Sequence, residues 1–349
     1  MKKRFASFLL IMAMAMAMLS PALAREVKAQ ETAGVSEWAV SVLIFGDTYG
    51  IYPLKWYDMD LTENIKKDQL RTLLFGVRRK IVETKKVAEV RDAKAYLDDS
   101  ITVQEAIEAF YTVLSNYDYP FDLGFDSGQD AVSLFTELGI YTGEYGEQGL
   151  QELCSIEQAM VMATRIVMIF YEALEASSKG FFWKLESGGN TVYLLGSLHM
   201  ADEDLYPLSL NIWSAFIDSD ALVVEANLFD QEDLLATQNM IFLMDGSSLK
   251  DHLSEETYKK VIEVAELIGY SEEMVSLLKP WAVYMILSNY TILNTATGDS
   301  FSSQLGVDTN LMMMAYYFQK PILAVEGMQK QAEMFESFSK ELMEFLIYS

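Results

Sequence analysis

The sequence predicts an α+β protein: an all-α helical N-terminal module, residues 35–175, followed by an α/β sheet domain, residues 180–349. Three observations carry that expectation. Apolar residues recur at helical spacing from Val35 to about Leu174. Beyond Gly180 the pattern changes to short β-branched runs, Thr191–Leu195, Ala221–Val224 and Ile322–Val325, separated by helical stretches. Between the two lies Ser177-Ser178-Lys179-Gly180, a small polar junction of the kind that separates modules.

In chain order, residues 1–24 read as a secretory signal peptide. MKKR is its basic start, Phe5–Leu19 its apolar core, and Ala22-Leu23-Ala24 a small-residue cleavage pattern. The apolar core is shorter than the ~20 residues a membrane span needs. Residues 25–34 form a linker. No later stretch is both long and uncharged enough to span a bilayer, so the expected location is secreted or cell-wall associated, with no membrane span in the mature chain. The formal net charge of −25 repels phosphate backbones and argues against nucleic acid as a partner; it reads as a solubility device. Hydrophobic residues make up 51% of the chain, ample for a sizeable core. The single cysteine, Cys154, allows no intrachain disulfide and reads as a small buried residue rather than a nucleophile.

Within 35–175 there is weak internal repetition. Each unit offers an apolar helix, a Gly-containing loop and a second helix opened by a polar turn. Those turns are Lys66-Lys67-Asp68-Gln69, Thr102-Val103-Gln104-Glu105 and Ser155-Ile156-Glu157-Gln158. The spacing resembles S-layer homology repeats, which implies attachment to cell-wall polymer. In that family an Arg in the turn contacts the anionic polymer, and the Arg is missing from all three turns here.

The sheet domain opens with a strand at Phe182–Glu186, a turn at Ser187–Asn190, and a strand at Thr191–Leu195 that reads as buried on both faces and ends at Gly196. His199 follows where small residues let the backbone turn. A second buried strand, Ala221–Val224, closes on Glu225. If these two strands are parallel neighbours joined by a helix at Leu208–Ile217, His199 and Glu225 emerge at one sheet edge, where α/β sheets keep their active sites. The third strand, Ile322–Val325, closes on Glu326. Helices are expected to open at Ser254 or Asp251, at Ser271, around Pro280, and at Gly306-Val307-Asp308, with a polar loop at Thr295–Phe301 and one amphipathic helix over Gln329–Ile347. His252, the other histidine, precedes the first of these helices and reads as structural.

No phosphate loop, dinucleotide turn, His-Glu-x-x-His helix or Gly-x-Ser-x-Gly elbow is present. A metal site would have at most two imidazoles and would lean on Glu225, Glu326 or Asp308, a carboxylate-rich set that suits Mn²⁺ or a similar oxygen-tolerant divalent ion. The nearer alternative for Asp308 is helix capping.

Gly180-Phe181-Phe182-Trp183-Lys184, Gly189 through His199 with its Gly196-Ser197-Leu198-His199, Asp220 through Glu225, and Gly306-Val307-Asp308 with Lys320-Pro321 and Glu326 together resemble the TraB/GumN family, which includes the Tiki metalloproteases. The resemblance spans about Gly180 to the end. It implies an α+β fold akin to erythromycin-esterase and ChaN-like proteins and, for the Tiki branch, divalent-metal-dependent hydrolysis of a peptide bond. Carried over by position, His199 is the histidine of Gly-x-x-His and Glu225 its acidic partner. Together they are the expected catalytic pair, with His199, Glu225 and Glu326 as metal ligands and Gly196 and Asp308 in support. The family's second Gly-x-x-His is absent, so the domain is expected to be C-terminally incomplete. Two functions follow: an exported metal-dependent hydrolase acting on a peptide or protein, or a non-catalytic envelope protein that sequesters a peptide or docks a partner.

Overall fold

A computed structural model of the chain describes residues 34–120, 123–125, 128–142, 149–295 and 302–348. The signal segment 1–24, nearly all of the linker, and the loop expected after Thr295 lie outside them. The fold is α+β and mostly helical. Of the described residues, 34–196 with 203–218 make one compact unit, and 197–202 with 219–348 make another.

The first unit is built on α1 (Glu37–Gly46), α2 (Lys67–Glu83), β1 (Ala88–Glu89), α3 (Val103–Leu114), β2 (Tyr117–Asp118), α4 (Ala131–Glu137) and α5 (Ile156–Ala173). α5 is its central rod: Ala159, Met160, Ala163, Ile166, Val167 and Phe170 are all sealed from solvent. Its buried Glu157 accepts hydrogen bonds from the Ser36 backbone N (2.8 Å) and Oγ (2.7 Å), so one carboxylate ties the start of α1 to α5. The three polar turns each start a helix. In every case a side chain reaches back to the first backbone N–H: Gln69 to Lys66 (2.8 Å), Glu105 to Thr102 (2.7 Å) and Gln158 to Ser155 (2.8 Å). Short bridges join the turns, Asn64 to Ser155 and Thr102 to Leu153. Cys154 lies fully buried between them, and burial pushes its thiol up to about 12, so it packs rather than reacts.

Asp47 supplies a pH signature for this unit. Its partly buried carboxyl accepts from Tyr57 Oη (2.5 Å) and Tyr52 Oη (3.2 Å), yet desolvation outweighs both and raises its pKa to about 6. A carboxyl held above its unfolded value favours the fold while protonated. That contribution is full below about pH 4 and is lost as pH rises through about 6, on the order of 2 kcal/mol. Melting curves of the chain and Asp47→Asn should therefore diverge between pH 4 and 6, the variant gaining relative to the parent. Parallel curves would remove the assignment.

β3 (Phe182–Ser187) and β4 (Asn190–Leu195) pair antiparallel around Gly188-Gly189, both at positive φ (58° and 84°), the geometry that a two-residue hairpin demands. The expected strand–turn–strand is present, but the burial is not. Trp183 opposes Leu194 and Leu185 opposes Val192 on one face, and all four side chains are exposed. α6 (Leu210–Asp218) completes the unit. Lys80 of α2 is buried and donates to the carbonyls of Glu203 (2.6 Å) and Tyr206 (3.2 Å), fixing the segment ahead of α6.

The second unit holds β5 (Leu222–Val224), α7 (Gln231–Met240), α8 (Leu249–His252), α9 (Glu255–Leu267), α10 (Glu272–Ser276), α11 (Pro280–Thr295), α12 (Val307–Tyr317), β6 (Ile322–Ala324), α13 (Met328–Glu336) and α14 (Lys340–Tyr348). β5 pairs in parallel with β6, Val223 beside Leu323, and not with β4. The expected pairing of the strands at 191–195 and 221–224 is thus overturned: β4 spends its pairing on the hairpin, and β5 finds its partner a hundred residues on. Val223, Leu323 and Val325 of this pair are exposed rather than buried. The single helix expected over Gln329–Ile347 is two. Ser337 closes α13 by donating its N–H to Glu333 O, and Ser339 Oγ accepts from Leu342 N to open α14. Ser254 and Ser271 cap α9 and α10, and Pro280 begins α11. The core gathers on Trp281 and Phe335, whose rings stack at 5.9 Å, with Val261, Met285 and Ala332 around them. Among the described residues, no helix is long and apolar enough to cross a membrane.

Candidate functional site

His199 sits in the short segment 197–202, outside any strand. Two backbone contacts hold that segment to the start of α12. Val307 N donates to Leu198 O (2.7 Å), and Ala201 and Ser302 exchange a pair of hydrogen bonds (3.1 and 2.8 Å). Gly306 makes the approach: a Cβ there would lie 2.5 Å from the His199 carbonyl oxygen and 2.9 Å from its carbon. No larger residue fits without moving backbone.

This contact sets the imidazole against α12. His199 Nδ1 lies 3.0 Å from Asp308 Oδ2, with side-chain exposures of only 9% and 8%. Asp308 sits in the first turn of α12, where the helix's positive end favours a carboxylate. With the carboxylate accepting, Nδ1 carries the proton and Nε2 presents a lone pair. The second oxygen, Oδ1, is buried without a hydrogen-bond partner. Gly306 holds the N-cap position of α12 with no side-chain cap, and the Asp308 carboxylate instead orients the histidine.

Glu225 and Glu326 meet at the end of the β5–β6 pair, where the Glu225 carbonyl accepts from both Glu326 N and Gly327 N (3.1 Å each). The Glu225 carboxylate takes a hydrogen bond from Gln331 Nε2 (2.7 Å), and Gln331 is 3% exposed. The Glu326 side chain is exposed. Gln331 is placed by the start of α13, where the Asp233 carboxylate accepts from Met328 N (2.7 Å) and Gln329 N (3.1 Å). Gly327, at φ 80°, makes that turn.

The sequence-predicted residues thus form two pairs, His199 with Asp308 and Glu225 with Glu326. They are not joined through a common sheet edge, because β4 belongs to a different sheet. Gly196 ends β4, its N–H donating to Phe181 O (2.8 Å). Gln331 is not legible in the sequence, because a glutamine four residues into a helix carries no local sign that it will touch a strand end. His252 takes no part in either pair; its Nε2 lies 2.8 Å from Ser247 Oγ. A metal-binding histidine commonly donates its other ring N–H to a carboxylate, as His199 does. Yet among the described residues no three His, Cys, Asp or Glu side chains gather closely enough to hold an ion. The set His199, Glu225 and Glu326 does not by itself fit a divalent metal.

Residues 181–349 match the model of the TraB/PrgY/gumN family. The matched residues include both pairs, His199 with Asp308 and Glu225 with Glu326. The chain is also 26% identical over 147 residues to "Uncharacterized protein YbaP" of Escherichia coli (strain K12), covering 42% of this chain and 52% of that protein. The same figures hold for "Uncharacterized protein YbaP" of Shigella flexneri. The chain therefore spans about half the length of the curated relatives it matches. No solved structure matches it.

Proposed function

We propose that this is an exported, cell-envelope hydrolase of the TraB type, acting on a peptide or protein, with His199 as the general base. The carrying observation is the Nδ1-to-Oδ2 contact of 3.0 Å between two nearly buried side chains. A carboxylate on Nδ1 fixes the tautomer and steadies the imidazolium that forms when Nε2 takes a proton from water. That water then attacks the amide carbon, and the proton passes from Nε2 to the leaving amine. Glu225, held by Gln331, is the acidic partner in this reading. Mn²⁺ or a similar divalent ion would add Lewis-acid chemistry only with ligands beyond His199, Glu225 and Glu326. The test is hydrolysis of a defined peptide mixture by the full chain and by His199→Ala, with and without added Mn²⁺. Equal rates would remove the assignment.

A second reading, a non-catalytic protein that sequesters a peptide or docks a partner, is favoured by the exposed apolar face of the β3–β4 hairpin. Retention of a labelled peptide without cleavage would select it. In both readings the helical module supplies attachment to cell-wall polymer, supported by its three matching capped turns. Co-sedimentation of the full chain with purified wall is the expected result, and a chain left wholly in the supernatant would rule attachment out.

A further inference from the structure

The β3–β4 hairpin leaves a strand edge unused. Because Gly196 N donates to Phe181 O, the alternation of an antiparallel ladder turns the backbone groups of Trp183, Leu185 and Ser187 toward β4. Those of Phe182, Lys184 and Glu186 therefore face the other way. Among the described residues no third strand takes them up. The β4 edge is less open, since Tyr193 and Leu195, whose backbone groups face outward there, are half-buried, whereas β3 is exposed from Trp183 to Ser187.

The charges on β3 decide what can sit on its edge. Lys184 and Glu186 stand two residues apart on one face, with side-chain exposures of 50% and 66%, and in the single chain they pair with each other at 2.6 Å. A charged edge ordinarily turns other strands away. A second copy of β3 is the exception, because the two charges are self-complementary under a two-fold axis. Laid antiparallel with the axis at Leu185, the copy sets its Glu186 opposite Lys184 and its Lys184 opposite Glu186, each pair exchanging its outward N–H and C=O groups. Moving the axis one residue along β3 sets Lys184 against Lys184, or Glu186 against Glu186. Charge thus selects one register. On the opposite face of the sheet Leu185 then meets Leu185, and Trp183 lies over Ser187 of the copy with Leu185 on its diagonal, in the pairs where side chains come closest. The exposed Trp183 and Leu185 gain cover that the single hairpin does not provide.

We propose that two copies of this chain associate through the β3 edge, forming a two-fold dimer with a continuous sheet in the order β4, β3, β3, β4. Lys184 carries the attraction that two strongly acidic molecules need in order to meet there. The inference rests on the hairpin alone and does not depend on the hydrolase reading.

Sedimentation velocity of the full chain at rising concentration tests it, alongside Lys184→Glu, Glu186→Lys and the variant carrying both changes. The parent is expected to populate a dimer. Each single variant sets like charges opposite each other at both positions, so its self-association should weaken at least tenfold. An equimolar mixture of the two single variants should recover the parental association, since each then meets the opposite sign, and the double variant should recover it by itself. Both side chains are exposed, and circular dichroism of the variants checks that the fold is kept. A parent that stays monomeric throughout would overturn the proposal. So would single variants that associate as the parent does, which would move the contact to the apolar face, or a mixture and a double variant that stay monomeric.

Discussion

Replacing His199 with alanine is expected to lower peptide hydrolysis by about 10²–10⁴-fold, the usual share of a positioned general base. The argument rests on where the imidazole is held. Its segment is fixed by backbone hydrogen bonds to α12, and its Nδ1 by a buried carboxylate at 3.0 Å, so the ring cannot turn Nε2 away without breaking that contact. Asp308→Asn keeps the shape but offers an amide in place of the carboxylate, which weakens the hold on the tautomer and on the imidazolium. Its loss should be smaller, about 10–100-fold. A ranking with Asp308→Asn at parental rate would leave the dyad without a role, even if His199→Ala were dead. Circular dichroism and melting of both variants separate loss of chemistry from loss of fold.

Gly306→Ala is expected to damage stability and activity together. The added methyl would meet the His199 carbonyl at 2.5 Å, its carbon at 2.9 Å and the Ser303 carbonyl at 3.0 Å, and all three are main-chain atoms that no rotamer change can move. Either α12 shifts or the 197–202 segment does. Both routes strain the Val307-to-Leu198 hydrogen bond and carry Asp308, two residues on, away from the imidazole. Overpacking of this kind costs about 1–3 kcal/mol. A displacement near 1 Å at a catalytic group can cost about 10²-fold in rate. A variant with parental melting temperature and parental activity would show that the close approach is not needed.

Much of this architecture is legible in local sequence. Ser155 with Gln158, Thr102 with Glu105, Ser254, Ser271 and Pro280 mark helix starts because capping is settled within one turn. Gly188-Gly189 marks the hairpin for the same reason. What escapes is pairing at a distance. The runs at 222–224 and 322–324 are readable as strands, but nothing in either names the other, and proximity in sequence points wrongly to 190–195. Burial fails with it, since an apolar run reads as buried whether or not a layer covers it. At the site, His199, Glu225 and Glu326 are found from their places at strand or segment ends. The part of Asp308 in holding His199, and that of Gln331 in holding Glu225, depends on contacts spanning 109 and 106 residues and becomes visible only in three dimensions.

The exposed hairpin face has a consequence for how molecules of this protein treat one another. Trp183, Leu185, Val192 and Leu194 form an adhesive patch between two strand edges, the kind of surface that brings copies together. At neutral pH the net charge of −25 keeps copies at arm's length. Near the isoelectric point of about 4.4 that repulsion vanishes while the patch is unchanged. The acidic surface thus serves as a colloidal guard over the hairpin, and mild acidification withdraws it.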